Sequence, residues 1–106
     1  MLIAVLALAM MHGVCPITIG VGSDGRLYSD RFHRWYNISS KTLQSDLRGG
    51  CYDDANPSPI TSVRILVGPG APDHKVDEVF AILEKQGWSR DKVSVRPWDQ
   101  YPQRPQ

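Results

Sequence analysis

The chain has little of what marks catalytic or nucleic-acid-binding proteins. Its 106 residues include three histidines, His12, His33 and His74, and none stands beside another ligand at metal spacing. The cysteines number two, Cys15 and Cys51, which is too few for a disulfide scaffold and matches no zinc motif. They could pair in an oxidising compartment or stand as two free thiols. Twelve basic residues against eleven acidic ones leave no basic stripe and no acidic tail, which speaks against a nucleic-acid partner. There is no internal repeat, no low-complexity block and no nucleophile elbow. Asp53 and Asp54 stand in a proline-rich stretch and read as solvated turn residues. No residues are assigned to catalysis, a metal or a cofactor.

Long apolar runs are also scarce, with one exception. Residues 2–11, LIAVLALAMM, are all apolar, and the first charged side chain is Asp24. A spanning helix needs about 20 apolar residues, and Gly13, Pro16 and Gly20 spoil the second half of any such run. A secretory signal has an apolar stretch of about 7–15 residues but also a basic start, which is missing here. Residues 1–15 are therefore expected to be a signal or membrane-anchor segment, the alternative being a buried apolar segment of a cytosolic protein. Residues 16–98 are expected to form one domain, with a loose tail at 99–106 rich in proline and glutamine.

Within that domain the periodicities alternate between strand and helix. ITIGV at 17–21 is β-branched with period two, the Asp24-Gly25 pair signals a hairpin, and Arg26-Leu27-Tyr28 starts a second strand. Residues 29–38 mix aromatic and basic side chains without a clean period and read as a loop or an extended continuation. Ser39 or Ser40 can cap a short helix carrying Leu43 and Leu47 and ended by Gly49-Gly50, and the proline-bearing stretch 51–62 reads as a loop. Val63–Val67 is the best strand in the chain. Val76, Val79, Phe80 and Leu83 lie on one face of a second helix, with Asp73 as expected cap and Gly87-Trp88 as stop. Val93-Ser94-Val95 closes the domain. The expected fold is α+β: a two-layer α/β sandwich in the order strand-strand-helix-strand-helix-strand, with both helices on one face of a four-stranded mixed sheet.

Two features suggest binding. The glycine turn VGPGAPD invites a phosphate reading but matches neither the Walker pattern nor G-x-G-x-x-G. Pro69 and Pro72 each remove an N–H that a phosphate cradle would need, and Asp73 puts a carboxylate where the anion would sit. The turn therefore reads as structural. The segment Arg31-Phe32-His33-Arg34-Trp35-Tyr36 interleaves basic and aromatic side chains and is a candidate binding surface, with Arg31, Arg34, Trp35 and Tyr36 as its contacts.

The order of elements, together with VRILVGPGAPDHKVDEVFAILEKQGWSRDKVSV, resembles the periplasmic domain of the ExbD/TolR family. ITIGVGSDGRLY is similar to the family's opening strand, x-D-G turn and second strand, and SSKTLQSDL to its first helix. The resemblance covers residues 17–97. It implies a non-enzymatic envelope protein, inner membrane-anchored or periplasmic. Such a protein works through protein contacts, with an ExbB/TolQ-type membrane subunit as partner and a homodimer as assembly. An exposed edge strand at Val93, Ser94 and Val95 would take a partner strand. The family's proton-carrying helix aspartate has no counterpart within residues 1–23, which hold neither Asp nor Glu, so either the true start lies upstream of Met1 or this is a diverged member lacking the proton relay. The second reading is a free secreted or periplasmic binding protein that uses the segment 31–36.

Overall fold

The computed structural model describes residues 15–31, 34–53 and 56–99. The apolar segment 1–14 and the tail from residue 100 on lie outside the described residues, so the expectations placed on them are not carried further. The chain runs through strands β1 (Pro16–Val21), β2 (Leu27–Arg31) and β3 (Arg34–Ile38), helix α1 (Ser40–Gly49), strands β4 (Cys51–Asp53), β5 (Asn56–Ser58) and β6 (Ser62–Val67), helix α2 (Asp73–Lys85), a 3-10 turn (Arg90–Lys92) and strand β7 (Val93–Pro97). The fold is α+β, with one mixed five-stranded sheet in the order β3-β2-β1-β6-β7. β1, β6 and β7 are parallel, β2 pairs antiparallel with β1, and β3 pairs antiparallel with β2 at the sheet's edge.

The local signals act where the sequence puts them. Between β1 and β2, the Gly25 N–H reaches the Gly22 carbonyl at 2.9 Å, and Gly25 takes φ 79°, open to glycine at little cost. The Ser39 hydroxyl accepts from the Thr42 N–H at 3.1 Å and caps α1. At the end of α2, the Trp88 N–H bonds the Leu83 carbonyl at 2.9 Å and the Gly87 N–H bonds the Glu84 carbonyl at 3.0 Å, with Gly87 at φ 91°. That is a Schellman stop.

Four expectations are corrected. Of the two readings of 29–38, the extended one holds for 29–31 and 34–38, but these residues fall in two strands, since β2 runs on to Arg31 and β3 pairs beside it, so the sheet has five strands rather than four. The stretch 51–62 contains a small hairpin, β4–β5, where prolines had suggested only irregular chain. Asp73 does not cap α2. Pro72 holds the cap position with extended dihedrals and no side-chain bond, and Asp73 is the first helical residue, where its charge still suits the helix dipole. The layering is also less simple than two layers. The main core joins Ile19, Val21, Leu27, Val63, Ile65 and Val93 of the strands to Leu43 and Leu47 of α1 and Val79, Phe80, Ile82 and Leu83 of α2. These strand residues share one parity, so they lie on one face. The opposite parity carries a separate aromatic cluster.

Candidate functional site

That second face is built around a glycine. A β-carbon added to Gly20 would stand 2.5 Å from Cζ3 of Trp98 and 3.2 Å from Cζ3 of Trp35. The strand therefore needs glycine here, because the Trp98 indole occupies the space a side chain would take. Trp98 follows the end of β7, is held by its N–H on the Val67 carbonyl at 2.8 Å, and is only 3% exposed. Its ring lies 4.5 Å from that of Trp35 and 5.7 Å, edge to face, from that of Tyr28. Residues from β1, β2, β3 and the end of β7 are thus joined by one aromatic cluster.

Beside the cluster is a cleft of about 450 Å³. Trp35 and Trp98 line it with Leu66, and Arg64 and Arg96 bring two guanidinium groups. The register explains the pairing: Leu66 stands opposite Arg96, and Arg64 is two residues before Leu66 on the same face. Pro97 and Asp99 complete the lining. The Arg64 guanidinium donates to the Thr18 hydroxyl at 3.3 Å. Among the described residues neither Arg64 nor Arg96 forms an ion pair, whereas Arg26 pairs with Asp24, and Arg90 with both Asp77 and Glu84.

The sequence-based candidates divide. Strand alternation separates Trp35, in the aromatic cluster, from exposed Arg34 and Tyr36 on the other face of β3. The segment is thus not one surface. Phe32, His33 and the Arg31 side chain lie outside the described residues. Arg64, Arg96 and Trp98 were not singled out in the sequence. The one available signal was Gly20 inside a β-branched strand, since such a glycine marks a close approach.

The two edges of the sheet differ in what their backbones offer. The Trp98 N–H points at β6, and alternation turns the Ser94 and Arg96 N–H groups the same way. Outward-facing positions on β7 are then Val93, Val95 and Pro97. Proline has no N–H, and the Val93 N–H is taken by the Arg90 carbonyl, so Val95 alone presents an outward N–H. On the other edge, the Gly22 N–H to Arg26 carbonyl bond of 2.9 Å fixes which residues of β2 face β1. By the same alternation Tyr36 bonds toward β2, and Trp35 and Asn37 present both backbone groups outward.

The cysteines are joined: Cys15 and Cys51 form a disulfide with Cα atoms 5.8 Å apart, linking the chain just before β1 to the start of β4. Cys15 is fully buried, and its N–H donates to the Thr61 hydroxyl at 2.8 Å. The glycine turn is a type II turn, with Pro69 then Gly70 at φ 73° and the Ala71 N–H on the Gly68 carbonyl at 3.1 Å. The Ser23 hydroxyl donates to the Pro69 carbonyl, so this turn braces the β1–β2 turn. Among the described residues no group of three or more His, Cys, Asp or Glu could hold a metal ion, and no helix is long and apolar enough to cross a membrane.

Three carboxylates are held below their ordinary range: Asp91, chiefly by hydrogen bonding from the Ser89 side chain, together with Glu78 and Asp24. Hydrogen bonding from the Ser40 hydroxyl at 2.5 Å, then from Lys75, lowers Glu78. For Asp24 partial burial pulls upward, but the Tyr28 hydroxyl at 2.7 Å, the Arg26 N–H and the Arg26 charge together win and lower it. None of the three lies in the cleft. Comparison with protein-family models, characterised proteins and solved structures finds no match to this chain.

Proposed function

We propose that this chain is a non-enzymatic envelope domain of ExbD/TolR type that works by adding a partner's strand to its sheet. The observation that carries the reading is the edge of β3, unpaired among the described residues, where Trp35 and Asn37 each turn an N–H and a carbonyl outward. This replaces the sequence-based choice of Val93, Ser94 and Val95, because β7 offers a single outward N–H and ends in proline. The Cys15–Cys51 bond supports a location outside the reducing cytoplasm, in the periplasm or on the outer side of an inner-membrane anchor. An ExbB/TolQ-type membrane subunit is the partner implied by the resemblance, and a second copy pairing β3 to β3 is the corresponding homodimer.

The test uses the full chain expressed in a bacterial envelope. Asn37→Pro removes one outward N–H without touching the β2–β3 ladder, while Val95→Pro does the same on the other edge. The membrane partner that co-purifies with the unaltered chain is expected to be lost with Asn37→Pro and kept with Val95→Pro, circular dichroism showing both variants folded. Retention of that partner by folded Asn37→Pro, or recovery of the chain reduced in the cytosol, would sink the reading.

A further inference from the structure

The cleft on the second face shares Trp35 with β3 but has its own chemistry, carried by the side chains of β6 and β7. We propose that it binds a carboxylate carried on a flat apolar group. Arg64 and Arg96 come from neighbouring parallel strands onto one face, and neither is neutralised by an ion pair among the described residues. A planar guanidinium matches a carboxylate with two parallel N–H bonds. Leu66, Pro97 and the half-buried Trp35 ring supply apolar lining next to those cations. A volume of about 450 Å³ suits a body of one or two rings.

The charge count selects among anions. Two arginines and Asp99 leave the lining with a net charge of +1, from two positive groups and one negative. A singly charged carboxylate complements that balance, and a dianionic phosphate does not. The aromatic cluster preorganises the site, because Trp98 is fixed by its backbone bond to Val67 and by packing against Gly20. The acid itself has two sources, a small free aryl acid or the carboxyl end of a peptide, and the chemistry is shared.

The experiment is a titration of the folded, disulfide-bonded chain followed by nitrogen–proton NMR of the tryptophan indoles. The probes are 2-naphthoate, N-acetylphenylalanine, N-acetylphenylalaninamide and phenyl phosphate. Saturable shifts of Trp35 and Trp98, with Trp88 unmoved, are expected for the two carboxylates. A stronger response to naphthoate assigns a free aryl acid, and a stronger response to N-acetylphenylalanine assigns a peptide end. Arg64→Gln and Arg96→Gln, both at exposed positions, should each weaken binding by about tenfold, the usual effect of losing a hydrogen bond to a charged group. Asp99→Asn should tighten it. Equal binding of the amide, tighter binding of phenyl phosphate, absence of any shift at millimolar probe, or indifference to both arginine substitutions would overturn the proposal.

Discussion

The two faces of the sheet solve the same problem by different means. On one face, Ile19, Val21, Val63 and Ile65 are sealed by two helices, and all are at most 2% exposed. On the other, Gly20, Tyr28, Trp35 and Trp98 make a small aromatic cover with Arg64 and Arg96 at its border. The helical face is built from aliphatic side chains that pack closely in many combinations. The aromatic face depends on one missing β-carbon and one indole. With the cleft as the proposed binding site, the main core and the binding chemistry stand on opposite sides of one sheet.

The largest effect is expected on the helical side. Leu83 is fully buried between α2 and the sheet, so Leu83→Ala should cost about 2–5 kcal/mol in urea unfolding. A smaller cost than that of any second-face substitution would reverse the ranking of the two sides. Next comes the disulfide. Replacing both Cys15 and Cys51 by serine frees a 36-residue separation and should cost about 2–4 kcal/mol by the same measurement. An unchanged midpoint would mean that the Cys15–Thr61 backbone pairing already fixes the start of β1.

The contrast between the faces also governs what could be read from the sequence. The helical side was legible because it repeats: Val76, Val79, Phe80 and Leu83 mark a helix, and Val63, Ile65 and Val67 mark a strand facing it. Ser39, Gly87 and the Asp24-Gly25 turn were legible because capping and turn chemistry are local. The extra strand was not. In RWYNI Trp35 joins the aromatic cluster while Ile38 packs against the helical core from the opposite face, so hydrophobicity never falls on a single stripe. The β4–β5 hairpin is three residues per strand and includes Pro57, too short and too irregular for a periodic signal. The cleft was invisible because Arg64 and Arg96 stand 32 positions apart and only the β6–β7 register brings them together. The pairing of the two cysteines likewise depends on where α1 returns the chain to β1.

Gly20 gives the sharpest probe of the second face. Gly20→Val places a side chain where Trp98 now stands and should destabilise by about 1–3 kcal/mol, with loss of the near-ultraviolet dichroism of the packed indoles. The same substitution in a Trp98→Ala background should cost less than it does alone, because the obstructing ring is gone. If the two changes simply add, the indole does not rest on Gly20 and the aromatic cover is not what closes this face.

The smallest effects separate the faces by pH. Each has one carboxylate held low: Glu78 joins α2 to α1 through Ser40 on the helical side, and Asp24 meets Tyr28 at the border of the aromatic side. A carboxylate with a lowered folded-state pKa stabilises the protein above its ordinary value, 4.5 for Glu78 and 3.8 for Asp24, and that stabilisation fades as pH falls through the folded-state value. Both side chains are more than a third exposed, so each contribution should stay under about 1 kcal/mol. Ser40→Ala and Tyr28→Phe each remove the main hydrogen bond that lowers its carboxylate, so each should lower stability at pH 7 and match the unaltered chain once the pH is below the carboxylate range. Because 3.8 lies below 4.5, the Tyr28→Phe difference should begin to fade at lower pH than the Ser40→Ala difference. Differences that persist unchanged into acid would show that the hydroxyls act through packing rather than charge, and the two faces would then differ in geometry alone.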